Sequence, residues 1–296
     1  MPFKVILLGP HGQLGHDVRR EHARSEGGFD LIPLPRESLD VASPRSINRV
    51  LGSLQFDALV NCAAYTQVNS AENDATGAFA VNARAVQALA QVCAAKRARA
   101  RFLHISTDYV FGGDAARREP LREDDATAPV NVYGASKAMG EARACLESND
   151  VVVLRTASLF GVAGTGGRGD NVVETMIRTA RETGSLRAVD DQTMSPTASA
   201  DVARIVVRMV RDGCAPGIYH VVNAGSATWF EFACEVIRLA GMAVDIEPCT
   251  TEDYPARAPR PRYSVLDNAR VSAAFGAMPA WQDALEQYLR ARRGAG

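Results

Sequence analysis

Lysine is scarce in this chain of 296 residues: Lys4, Lys96 and Lys137 stand against 30 arginines, the 33 basic residues less these 3. With 34 acidic residues the formal net charge is −1. No global positive field is available to hold a polyanion, so nucleic acid is not an expected partner. The six cysteines, at 62, 93, 145, 214, 234 and 249, form no C-x-x-C pair and show no metal-ligand spacing with the five histidines. Reduced thiols and the absence of a metal are expected. The apolar run Val5–Leu8 behind Met1-Pro2-Phe3-Lys4 is too short for a signal-peptide core or a membrane span. A cytoplasmic protein with no membrane partner is expected. Internal repeats, heptads and low-complexity tails are missing too, and a hydrophobic content of 47% argues against disorder.

What is present is an alternation. Short aliphatic runs at Val5–Leu8, Leu31–Leu34, Ala58–Val60, Phe102–Ile105 and Val151–Leu154 are separated by stretches of helical periodicity. Runs that are apolar throughout suit parallel strands covered on both faces by helices, which predicts an α/β, doubly wound sheet. The spacing predicts helices over 75–95, rich in alanine, and over 134–146. Beyond 157 the rhythm weakens, and a dinucleotide-binding domain over 1–157 is expected, with part of 186–210 returning to it. Residues 158–296 are then mainly a smaller substrate domain. The Gly-rich stretch 161–169 and the Pro-rich stretch 255–261 read as loops suited to a lid.

Gly9, Gly12 and Gly15 follow the first apolar run and open a helix containing Leu14 and Val18. Glycines there permit a tight turn and close approach of backbone to a pyrophosphate, which the helix N-terminus then receives. The second run ends in Pro35-Arg36, without a carboxylate to take the adenosine ribose hydroxyls. Arg36 suits a 2′-phosphate and so favours NADPH over NADH, with Asp40 a weaker adenine-side candidate. After the third run, Asn61-Cys62-Ala63-Ala64-Tyr65-Thr66 keeps side chains small where the chain would pass a flat cofactor.

Tyr133 and Lys137 stand one helical turn apart. Seven tyrosines and three lysines yield a Tyr-x-x-x-Lys by chance about 0.07 times. A compact ammonium fits beneath a ribose where a guanidinium fork would not, and lowers a neighbouring phenol. Bringing the phenol from ~10 to ~7 to 8 takes roughly 3 to 4 kcal/mol, so a lowered Tyr133 is expected. Ser106-Thr107-Asp108-Tyr109 follows the fourth run, and ligands bind at that edge of open α/β sheets. Thr107 is placed to hold a substrate carbonyl oxygen with Tyr133. Tyr109 follows Asp108, so there is no adjacent Asp-Glu pair for eliminating water from a sugar, which favours simple reduction.

On these residues the chain resembles the dTDP-4-dehydrorhamnose reductase family of extended short-chain dehydrogenases over nearly its full length. Matching segments include Gly9 to Gly15 with its Gly-Gln-Leu-Gly ending, Asn61 to Thr66, Ser106 to Phe111, Tyr133 to Glu141, Leu154 to Thr156, Pro196-Thr197, Gly217 to His220 and Arg260-Pro261. The resemblance implies a Rossmann-like sheet with a smaller C-terminal α/β domain, and NADPH- or NADH-dependent reduction of a dTDP-linked 4-keto-6-deoxy sugar. It implies a catalytic trio of Thr107, Tyr133 and Lys137. Cofactor contacts would come from Gly9, Gly12, Gln13, Leu14, Gly15, Arg36, Asp40, Ala63, Ala64, Tyr65 and the Tyr133-Lys137 pair. Sugar contacts would come from Thr107, Asp108, Tyr133, Ser158 and Arg260. Ser158 stands where the family has tryptophan, Met194 where glycine is usual and Tyr263 where asparagine is usual, so Met194 or Tyr263 is expected to fill the tryptophan's volume. Some members bridge subunits with magnesium on carboxylates; no matching ligands are found, and no metal is expected. The oligomeric state is left open, a homodimer included. A reductase or epimerase for another nucleotide-linked deoxysugar and a non-catalytic NADP-binding regulatory subunit are the competing readings.

Overall fold

The aliphatic runs become strands because each can bury both faces. In the computed structural model, which describes residues 2–25, 28–96, 100–163, 171–254 and 258–293, six parallel strands form one sheet. They are β1 (Lys4–Leu8), β2 (Asp30–Leu34), β3 (Ala58–Asn61), β4 (Arg101–Thr107), β5 (Val151–Thr156) and β10 (Gly217–His220), in the order β2-β1-β3-β4-β5-β10. Successive residues alternate between two cores. Val5, Leu7, Val60, Leu103 and Leu154 point to one face, where Leu14 and Val18 of α1 (Gln13–Arg24) pack with Val202, Val206 and Met209 of α8 (Ser199–Arg211). Ile6, Leu8, Leu59, Phe102 and Val153 point to the other, against Ile47 of α2 (Pro44–Ser53) and Leu89 of α5 (Ala85–Ala94). Ala144 of α6 (Val132–Glu147) joins this second core.

The helix expected over 75–95 continues to Ala94 but widens at one turn. It runs as α4 (Ala75–Phe79), a π turn at Ala80–Arg84, and α5. Asn82 sits in the π turn and gives its whole side-chain amide to outside partners: Oδ1 accepts from Tyr65 N at 2.9 Å, and Nδ2 donates to Tyr65 O at 3.0 Å and to Ser136 Oγ at 3.0 Å. The wider turn brings that amide to the loop after β3, a use of π bulges typical near functional sites.

Beyond 157 the chain alternates between two bodies. α8, β10 and α10 (Ala269–Phe275) build on the large sheet, whereas β7 (Ser185–Val189) pairs with β12 (Asp245–Cys249). A separate core forms around Phe160, Phe232 of α9 (Trp229–Ala240), and Trp281 and Leu285 of α11 (Trp281–Arg293). Within 186–210, α8 packs on the large sheet and β7 pairs with β12. The Gly-rich loop lies outside the described residues from 164 to 170, as do 255–257 of the Pro-rich one. No helix among the described residues is long and apolar enough to cross a membrane.

Candidate active site

After β2 the chain crosses to the opposite side of β1 to form β3, and in an open α/β sheet a crevice opens at the carboxyl ends where the order reverses. A cavity of about 970 Å³ lies there. Gly9 turns the chain out of β1 with φ +69°, and a Cβ on it would stand 2.8 Å from Ala63 N, so only glycine lets the two loops touch. A Cβ on Gly15 would stand 2.1 Å from Gly9 O. Gly12 caps α1 without a side-chain hydrogen bond, and the first turn carries no acidic residue. Its N–H groups are left to face an anion.

Gln13, Leu14, Ala63, Ala64 and Tyr65 line the cavity beside these glycines, and Gly15 lies just beneath them. At the β2 end Arg36 is exposed at the rim and Asp40 lines the wall, its carboxylate accepting from Ala42 N at 3.1 Å.

The other end is built from side chains. Thr107 ends β4 and caps the short turn Asp108–Val110, accepting from Tyr109 N at 3.2 Å and donating to Asp108 Oδ1 at 3.0 Å. Its single proton is thereby directed at Asp108, and its oxygen lies on the cavity wall beside Tyr133. Asn131 caps α6 through Gly134 N at 2.8 Å and sets Tyr133 in the first turn, with Lys137 one turn on. Both line the cavity, as do Thr107 and Ser158.

Asp108 and Arg260 do not line it. Asp108 is buried behind Thr107, its second oxygen taken by Ser264 Oγ at 2.6 Å, and burial raises its carboxyl to about 6. Arg260 is bonded to Asn69 Oδ1 at 2.8 Å and lies over the Tyr109 ring at 5.8 Å, with Tyr109 in turn edge-on to Tyr133 at 5.9 Å. Neither replacement expected to fill the tryptophan's volume lies against this cavity: Met194 packs into the core around Phe160, and Tyr263 faces Arg117, Arg118 and Glu119. Ser158 instead turns the chain through φ +43°, the one described non-glycine residue with positive φ.

A lowered Tyr133 is also not what the geometry produces. Lys137 Nζ turns to the sheet, donating to Ile105 O at 2.5 Å and meeting His104 Nε2 at 3.3 Å. Desolvation pushes the phenol up to about 12, the nearby Thr107 hydroxyl opposing and the Asp108 charge adding to the rise. Burial brings Lys137 down to about 8, against the nearby Glu141 and Cys62. The pair is thus a protonated phenol and an amine poised near neutrality, an arrangement that donates a proton and can be resupplied. His104, Asn61 and Asn82 organise this end. His104 was legible as a polar residue inside the apolar run Phe102–Ile105, a rare placement unless it is bonded. Asn82 was legible only as an asparagine in an alanine-rich helix.

Fold and site define a doubly wound α/β protein of the extended short-chain dehydrogenase type, with a Tyr-Lys pair at one end of a dinucleotide-sized crevice. The RmlD substrate binding domain family matches residues 3–293, and the chain belongs to that family. It is 37% identical over 292 residues to the spore coat polysaccharide biosynthesis protein SpsK of Bacillus subtilis (strain 168), covering 99% of both chains. It is 36% identical over 298 residues to the dTDP-4-dehydrorhamnose reductase of Mycolicibacterium smegmatis, covering 100% of this chain and 88% of that one. The crystal structure of dTDP-4-dehydrorhamnose reductase from Bacillus anthracis in complex with NADP superposes with a TM-score of 0.89 at 34% identity, covering 98% of this chain and 100% of that one.

Proposed function

We propose that this chain reduces the 4-keto group of a dTDP-linked 6-deoxy sugar with NADPH, converting dTDP-4-dehydro-L-rhamnose to dTDP-L-rhamnose. NADH is the weaker alternative cofactor. The observation that carries the reading is the placement of Thr107, Tyr133 and Lys137 together on the wall of the cavity that also holds the uncapped start of α1. The Gly9–Ala63 cradle and that helix start fit a pyrophosphate, and exposed Arg36 fits a 2′-phosphate. Bound NADPH supplies the hydride. Tyr133, protonated at neutral pH, gives its proton to the ketone oxygen as that oxygen becomes negative. Thr107, held by Asp108 on the same wall, stands ready to hold the substrate oxygen beside the phenol. Lys137 holds the nicotinamide-side ribose and returns a proton toward Tyr133.

In this reading residues 1–157 with α8, β10 and α10 carry the dinucleotide, and the remaining small sheets face the sugar. Ser158 is its neighbour on the wall, while Asp108 and Arg260 act from behind Thr107 and Tyr109. A cytoplasmic homodimer belongs to the same reading, and exposed Met139 and Leu146, seven residues apart on α6, offer an apolar face to a second copy. The test is NADPH oxidation across a panel of nucleotide keto sugars. The wild type should consume dTDP-4-dehydro-L-rhamnose, and Tyr133→Phe should bind NADPH normally yet turn over at least about a hundredfold more slowly. Wild-type turnover confined to another nucleotide ketose would replace this substrate. Unimpaired turnover by Tyr133→Phe would remove the catalytic assignment.

A further inference from the structure

His104 sits in the middle of β4 with no exposed surface, and the reduction described above makes no use of it. Its protonation can be deduced bond by bond. The Ala63 backbone N–H can only donate, so the Asn61 amide atom 3.1 Å from it is Oδ1. The other amide atom, Nδ2, therefore faces His104 Nδ1 at 3.2 Å and donates to it. An Nδ1 that accepts carries no proton, which excludes both the imidazolium and the Nδ1–H tautomer. His104 is then neutral with its proton on Nε2, and that N–H points at Lys137 Nζ, 3.3 Å away. An ammonium there would set donor against donor, whereas an amine accepts through its lone pair while still donating to Ile105 O at 2.5 Å.

We propose that His104 is a positioning residue for Lys137: locked by Asn61 as the Nε2–H tautomer, it presents a donor to Nζ and favours the amine form, which can take up and pass on a proton at neutral pH. The inference rests on the reading of Lys137 as the residue that returns a proton toward Tyr133. The other groups facing Nζ leave room for this. Glu141, one turn along α6, is only 4% exposed, but its charge is taken up by Arg155, with Nη2 to Oε2 at 2.7 Å, and by Ser106. Cys62, at the end of β3, is a neutral thiol pushed up to about 12 by burial. Tyr133, one turn back, is a neutral phenol. Burial holds His104 well below the ordinary histidine range, and any charge Lys137 takes up adds to this, in keeping with a ring that does not take a second proton.

Two magnetic-resonance readouts test this without substrate or turnover. Imidazole ¹⁵N spectra of the wild-type protein should show His104 as the Nε2–H tautomer, unchanged from about pH 6 to about pH 9, because its buried bonds leave no site for a second proton. An Nδ1–H tautomer or an imidazolium in that range overturns the proposal. With only three lysines, ¹³Cε-labelled lysine resolves Lys137 once Lys137→Arg has assigned its signal. His104→Gln can turn a carbonyl oxygen toward Nζ, and should raise the Lys137 midpoint by at least about one pH unit. Asn61→Asp keeps the bond to Ala63 N, reverses the tautomer and should shift the midpoint the same way. An unmoved midpoint in a folded His104→Gln or Asn61→Asp protein refutes the tuning role, and if neither variant folds the wild-type tautomer decides. Loss of keto-sugar turnover with these spectra as expected would count against the proposed substrate and not against His104.

Discussion

The two ends of the crevice are made of different material. Around β1, β2 and β3 the wall is backbone: Gly9 against Ala63, Gly15 against Gly9, an uncapped helix start, and one exposed arginine at the rim. Around β4, β5 and α6 it is a dry lattice of polar side chains, with Lys137 and Arg155 each 2% exposed and each held by other polar groups. An end made of amides binds an anion by shape and dipole, and its errors are steric. An end made of buried polar side chains sets protonation states, and its errors are electrostatic, because each lost partner strands a group away from water.

The largest expected break falls in the polar lattice. Glu141→Ala leaves the Arg155 guanidinium buried against Phe111 and His220 without its carboxylate, and should cost roughly 3 to 5 kcal/mol in denaturant unfolding. Adding Arg155→Met should recover most of that loss; failure to recover would mean the pair does more than neutralise itself.

Next comes the pH dependence of Asp108. Its folded-state carboxyl, at about 6, lies above the ordinary 3.8, so the folded protein favours the neutral form. That contribution is fully present below the unfolded value and is lost as pH rises through the folded one. Asparagine carries no such dependence, so the stability of Asp108→Asn relative to wild type should improve by roughly 2 to 3 kcal/mol between about pH 4 and about pH 7. A flat difference across that window would show that Asp108 is charged at little cost.

At the backbone end the effects are smaller and of another kind. Gly15→Ala drives a methyl group into the Gly9 carbonyl and should cost about 2 kcal/mol of stability, together with NADPH affinity measured by fluorescence titration. Intact binding in this variant would separate the turn from the anion site. Arg36→Ala, at an exposed rim, should weaken NADPH by about 1 kcal/mol and leave NADH unchanged; equal losses for both cofactors would remove its 2′-phosphate role.

The backbone end was legible from the sequence because its requirements are local. A glycine that must be a glycine announces itself, as Gly9 and Gly15 do beside an apolar strand, and the strand runs at β1, β3, β4 and β5 were each read to within two residues of their observed ends. The Tyr133–Lys137 spacing was legible for the same reason, since one helical turn decides it. What the spacing could not carry was the state of the pair. The phenol stands high and the lysine low chiefly because burial strips water from both, with Asp108 in the turn after β4 adding to the phenol, and that burial comes from elements packed around the helix rather than from the helical turn that joins the pair.

The far half of the site shows the same limit. Asp108 and Arg260 belong to matching motifs yet stand behind Thr107 and Tyr109, and Met194 faces a different core, because facing is settled by how the elements dock. Sequence by itself determined the parallel sheet, the glycine turn and the one-turn Tyr-Lys pair, which depend on residues close along the chain. Only the tertiary structure decided which polar atoms share a proton, since a buried hydrogen bond is set by distance and direction between strands far apart in sequence.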